Sequence, residues 1–274
     1  MEFENIVKPP SYNKQQHCLI KTDPACTVCE LGKVRDRHNL EFAEADKAEN
    51  IEQAVGGAGP EDLTQVKLIV ISDFPGTYEA RAGHPMVDIR ESRAERKKGL
   101  LTPLNAGAQL RMALQLMYGL DTYNDCWITN ALKCNPGARK PIENKHVKPC
   151  VQQWLSAELS VLDKYCPAVP ILVAGAQAFK AVLLLYKQEA IELKSYGLNG
   201  CRRRKGLMLG RHPAVFTFNP AGAARSMPKI ETEIASRNGK LVVKSNEWLY
   251  PPLPGSPTDK FIKDLHLLAS YLNV

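Results

Sequence analysis

No stretch of the chain approaches the roughly 20 consecutive apolar residues that a membrane-spanning helix needs, so no such helix is predicted. The first ten residues carry acids and no apolar core, which argues against a secretory signal and makes a cytoplasmic, nucleoid-associated setting the expectation. Neither an internal repeat nor a low-complexity tract is visible, which removes solenoids and linker-like chains. Charge of one sign is also scarce, since 36 Lys and Arg against 29 Asp and Glu leave a formal +7. The positive charge is concentrated locally, in Arg93-Ala94-Glu95-Arg96-Lys97-Lys98 and Arg202-Arg203-Arg204-Lys205. Such clusters suit a phosphate backbone, and they suit a solvated loop equally well.

The 274 residues, 44% apolar and 24% charged, fall in the ordinary range of a globular chain and can bury a full core. We expect a single domain over 1–274, with an irregular leader over 1–25 and a polar insertion over about 35–65. That insertion reads as partly helical, ending in a flexible link at Gly56-Gly57-Ala58-Gly59-Pro60.

Four short apolar runs, rich in β-branched residues, read as buried parallel strands: 66–71, 126–132, 169–174 and 214–218. Helical spacing lies between them at 110–120, 143–165 and 176–187, and a last amphipathic helix fits 260–272 with Phe261, Leu265, Leu268 and Leu272 on one face. Alternating strands and helices predict an α/β fold, a three-layer α/β/α sandwich around a mostly parallel four-stranded sheet. In such sheets ligands bind beyond the carboxyl ends of the strands. Asp73, Asn130 and Asn219 each follow or close one of these strands. Taken alone, Asp73 can cap a turn or helix start, Asn130 can be a satisfied polar group, and Asn219-Pro220 can be an ordinary turn.

Cysteine is plentiful: eight are present, and a reducing compartment disfavours disulfides. Cys26 and Cys29 form a two-ligand clip, and Cys134 and Cys150 form a wider pair. Four thiolates can hold a [4Fe–4S] cluster or a structural zinc, and spacing leans only slightly towards iron. Cys18, Cys126, Cys166 and Cys201 fall outside the pattern and read as incidental thiols.

The motifs taken in order carry more than any one of them. Cys26-Thr27-Val28-Cys29-Glu30-Leu31 is followed by Ser72-Asp73-Phe74-Pro75-Gly76, Gly83-His84-Pro85-Met86-Val87 and Ala106-Gly107-Ala108-Gln109-Leu110. Then come Ile128-Thr129-Asn130-Ala131-Leu132-Lys133-Cys134, Cys150, the Gly175-Ala176 turn and Asn219-Pro220-Ala221-Gly222-Ala223-Ala224-Arg225. Over about residues 24 to 230 this series resembles the family 4 uracil-DNA glycosylases, bacterial and archaeal enzymes with a [4Fe–4S] cluster. There are three departures. Asp73 stands where that family has Glu, Met86 where an aromatic stacks on uracil, and Asn219 where the last motif has His. The Asn219 motif resembles the mismatch-specific branch of the same superfamily, so the substrate is expected to be shifted from plain uracil.

The resemblance implies a DNA glycosylase that flips a base out of single-stranded or duplex DNA and hydrolyses its N-glycosidic bond, leaving the alternative of a base-recognition subunit with weakened turnover. It implies Asp73 beside the cationic sugar and Asn219 as donor to the leaving base. Asn130 would pair with the base edge, against an apolar face from Phe74 or Met86. Pro75, Gly76 and Arg225 would lie on the DNA backbone, and Cys26, Cys29, Cys134 and Cys150 would hold the cluster. His84 and His212 read as a loop residue and a surface residue.

Overall fold

The computed structural model describes residues 26–44, 51–86, 106–137, 142–221, 255 and 257–272. The leader, Cys18, the 93–98 basic cluster and Arg225 therefore lie outside the described residues. In chain order the elements are α1 (Glu30–Glu44), β1 (Leu68–Ser72), α2 (Thr77–Ala82), α3 (Ala106–Tyr118), β2 (Cys126–Asn130) and α4 (Asn144–Cys150). There follow α5 (Ser156–Tyr165), β3 (Ile171–Ala174), α6 (Ala176–Leu185), α7 (Ala190–Cys201), β4 (Met208–Leu209), β5 (His212–Thr217) and α8 (Pro257–Leu265).

The four expected strands form a parallel array, and a fifth, two-residue strand closes it in antiparallel pairing, giving the order β2-β1-β3-β5-β4. Strand residues are buried on both faces, as the unbroken apolar runs require. Alternate residues feed two cores. Ile69, Ile71, Trp127, Ile171, Val173 and Phe216 pack with α4 to α7, while Leu68, Val70, Ile128, Leu172 and Val215 pack with α3 and α8. The layers are thus helix, sheet, helix. Phe261, Leu265, Leu268 and Leu272 are all buried in the second core, as their spacing predicts.

Three expectations change. The helix over 143–165 is divided by a π turn at Val151–Leu155, directly after Pro149 and Cys150. Proline has no N–H for the helical ladder, which relaxes into the wider turn that follows it. His212 is no surface residue: it is buried in β5, its Nδ1 2.7 Å from the Val169 carbonyl. His84 is likewise buried.

The third change concerns the glycine tract, which is no flexible link. Ala58 exchanges both backbone hydrogen bonds with Ile128 along the outer side of β2, and the Val55 N–H reaches the Lys133 carbonyl. Glycine is needed because the Trp127 ring lies against the tract: a Cβ on Gly57 would stand 2.6 Å from Trp127 Nε1, and one on Gly59 2.8 Å from the Cys126 carbonyl oxygen. Backbone cannot yield as a flexible side chain can. Gly59→Ala is therefore expected to cost about 1–3 kcal/mol by overpacking, read as a lower urea midpoint at unchanged slope; an unchanged midpoint would mean that the tract is not held against β2.

Candidate active site

The carboxyl ends of the four parallel strands stand level, since Ser72 is registered with Asn130 and with Ala174, and Ala174 with Thr217. Strand order reverses between β1 and β3, so the crevice of this sheet opens where Asp73 leaves β1 and Gly175 leaves β3. Asp73 joins the two. Its Oδ1 accepts from the N–H groups of Gln177 (2.7 Å) and Ala178 (3.0 Å), in the first turn of α6. Its Oδ2 accepts from Asn219 Nδ2 at 3.0 Å, and Asn219 Oδ1 in turn accepts from the Ala221 N–H. Gly175 has φ of +121°, and a Cβ there would collide with the Asp73 carboxyl group, so only glycine permits this approach. The helix-cap reading of Asp73 is thus realised by this carboxylate. Burial pushes its pKa up, against the pull of these three hydrogen bonds and the charge of Lys180.

Asn130 is fully buried at the end of β2, and neither its Nδ2 nor its Oδ1 has a partner among the described residues. An unpaired buried polar group costs about 1–3 kcal/mol, so an orphaned carboxamide at a strand end is a strong mark of a ligand site. The structure therefore gathers Asp73, Asn130 and Asn219 at one end of the sheet. Phe74 and Met86 are not brought together: Phe74 packs against the α4–α7 core and Met86 belongs to the α3–α8 core.

Glu79 was missed by sequence reasoning, and it organises the loop leaving β1. Its carboxylate accepts from the N–H groups of Gly76 and Met86, while Arg111 Nε donates to the Met86 carbonyl at 3.0 Å. Met86 is held at a φ of +54°. Consequently the Gly76 N–H is turned to Glu79 rather than to a phosphate, and Pro75 has no N–H to offer. A Glu three residues after a helix-starting Gly is the signal that could have found it. Arg202, expected on a loop or a phosphate, is also placed otherwise: it is buried, pairs with Asp264 at 2.6 and 3.1 Å, and lies over the Phe218 ring. Arg203, Arg204 and Lys205 remain exposed.

Cys26, Cys134 and Cys150 are buried in one part of the first core, with Cys29 packed against it. Three of the sulfurs receive N–H groups: Trp154 Nε1 on Cys26 at 3.2 Å, the Lys133 backbone on Cys150 at 3.3 Å, and Arg35 Nη1 on Cys134 at 3.6 Å. Burial pushes the Cys134 and Cys150 thiols up to about 12, and the neighbouring cysteines add to the rise. Among the described residues no three His, Cys, Asp or Glu side chains stand close enough together to hold one metal ion. No described helix is long and apolar enough to cross a membrane. One cavity of about 310 Å³ lies between Asp163, Tyr186 and His212, at the strand starts and away from these groups.

Residues 60–249 match the family model of the uracil DNA glycosylase superfamily. No curated protein matches the chain.

Burial raises the Glu79 pKa from 4.5 to about 7, against hydrogen bonds from Gly76 and Met86 and the charge of Arg111. The folded state then holds this proton more tightly than the unfolded chain, so stability falls as pH rises from 4.5 through 7. Glu79→Gln, which cannot ionise, is expected to flatten that part of the profile. Urea midpoints of both proteins across the window test it; parallel profiles would remove Glu79 as the cause.

Proposed function

Because the chain belongs to the uracil DNA glycosylase superfamily, we propose that it binds DNA, extrudes one base and hydrolyses its N-glycosidic bond, acting on uracil or a related damaged or modified base. The observation that carries this reading is the strand-end rim, where a buried carboxylate with an amide bonded to it, and an unpartnered buried amide, stand at the ends of neighbouring strands. Extrusion costs a few kcal/mol, which contacts to the extruded base must return.

As the glycosidic bond stretches, positive charge grows on the sugar and negative charge on the base. Asp73 supplies a fixed negative charge in a water-poor setting, where it acts more strongly than in solvent. Three of its roughly four acceptor positions are taken, leaving one to orient a water towards C1′. Asn219 has one N–H left after bonding Asp73, enough to donate to a carbonyl oxygen of the leaving base. Asn130 has a donor and an acceptor for the base edge. Met86, buried at the α3 face, or Phe74 supplies the apolar surface, and Arg225 is assigned to a flanking phosphate. The products are the free base and an abasic site.

We assign Cys26, Cys29, Cys134 and Cys150 to a [4Fe–4S] cluster, which when bound would tie the N-terminal clip to the segment after β2. What supports this is the donor set: four thiols in one apolar neighbourhood, N–H groups directed at three sulfurs, and the buried Arg35 cation beside Cys134 to offset thiolate charge. Structural zinc is the alternative. Protein purified without oxygen is expected to be brown, with iron and acid-labile sulfide in equal amounts, and Cys134→Ser to lose both. Zinc in place of iron would overturn the cluster assignment.

The second reading, a base-recognition subunit without turnover, is favoured by the use of Asp73 as a helix cap. Asp73→Asn separates the two, since asparagine keeps an acceptor for the Gln177 and Ala178 amides but removes the charge. Base release from oligonucleotides carrying uracil, mismatched thymine or hypoxanthine is expected to fall about 100-fold or more, with DNA affinity nearly unchanged. No release by the unaltered protein, together with tight DNA binding, would favour the second reading.

A further inference from the structure

Asn130 is not the only orphan at the strand ends. Ser72 Oγ and both amide atoms of Gln109 are buried without partners. Leu68 and Val70 of β1, and Cys126 and Ile128 of β2, face the α3 core, so by strand alternation Ser72 and Asn130 face it too. Those two residues are direct neighbours across the ladder. Gln109 is in the first turn of α3. Because β1 and β2 are parallel, α3 must run from the strand ends back to the start of β2, which sets its first turn at the strand-end level. Five unpartnered polar atoms, three of them acceptors and two amide nitrogens, therefore stand at the strand-end level on the α3 side of the sheet.

We infer that Gln109 is a specificity-determining residue that reads the extruded base together with Asn130 and Ser72. This rests on the base-binding reading above and narrows its substrate class. A single carboxamide matches one donor–acceptor pair. Two carboxamides and a hydroxyl at the same level match a base with polar atoms on two edges. The polar atoms of uracil in DNA lie along one edge and its far edge is C–H. Hypoxanthine, with ring nitrogens behind its N1–H/O6 edge, and 5-hydroxymethyluracil, with a hydroxyl on the far edge, both satisfy the larger set. Leaving the second carboxamide unmatched leaves buried polar atoms unpaired, which is how a hydrogen-bonding site rejects a ligand lacking a group.

Calorimetric titration of free hypoxanthine, 5-hydroxymethyluracil and uracil into the full chain tests this without requiring turnover. The unaltered protein is expected to bind one of the two-edged bases about tenfold or more tightly than uracil. Gln109→Leu, similar in size and without polar atoms, is expected to abolish that preference with uracil held at least as tightly as by the unaltered protein, and to melt no lower. Gln109→Glu, which exchanges donor for acceptor, is expected to alter the preference and serves if the leucine variant does not fold. Uracil bound as tightly as the others, no base bound at all, or a preference that survives both variants would overturn the inference. Base release from oligonucleotides is scored separately. Asp73-dependent release without dependence on Gln109 refutes this role and leaves the glycosylase reading intact, whereas Gln109-dependent base binding without release does the reverse.

Discussion

The Asp73 carboxylate leaves β1 and accepts hydrogen bonds from the first turn of the helix after β3 and from Asn219, just beyond β5. Three chain segments far apart in sequence are fixed to one another by one small group. Two of its partners are backbone amides at a helix N-terminus, which favour the negative form, while burial opposes it. The balance requires that nothing else occupy the space, and Gly175 meets that condition by having no side chain. The role proposed for Asp73 therefore falls to a group that is also a structural joint. The short Asp73 side chain is the one seated here on the α6 amides.

A second buried joint lies on the same side of the sheet, between β2 and α5. Lys133 Nζ lies 2.8 and 2.9 Å from the two Glu158 carboxylate oxygens and 2.6 Å from Thr129 Oγ1, and Glu158 also accepts from Thr129 and the Gly57 N–H. Both charged side chains are wholly buried. A buried ion pair repays its desolvation only when its remaining hydrogen-bonding positions are filled, and here they are shared among β2, α5 and the glycine tract. The residue that follows is Cys134, and the Lys133 N–H lies on Cys150, so the joint also sets the segment that carries two of the cysteines.

Much of this arrangement was legible in the sequence. The parallel strands were written in apolar runs too short for helices, and Asp73, Asn130 and Asn219 could be located at strand ends by counting from those runs. What escaped had physical reasons. A two-residue strand such as Met208–Leu209 has no periodicity to detect, and α7 contains Gly197 in a non-helical conformation that interrupts its pattern. Glycines that make room for Trp127 look the same in sequence as glycines that make a hinge. Arg202 sits in a run of four basic residues, yet its partner Asp264 lies 62 positions away, a pairing that composition cannot foresee. The orphaned amides of Gln109 were invisible for the same reason, since nothing in a helical pattern tells a filled partner from a missing one.

The glycine tract lying along β2 has a consequence for assembly. A sheet with an open lateral strand offers unpaired N–H and C=O groups as a template on which another chain can add itself. Ala58 takes both backbone groups that Ile128 would otherwise expose on that flank. The opposite flank ends in a strand only two residues long, too brief to template much. Strand addition at Ile128 is thereby blocked, and the two-residue β4 leaves little edge of its own for another copy to extend.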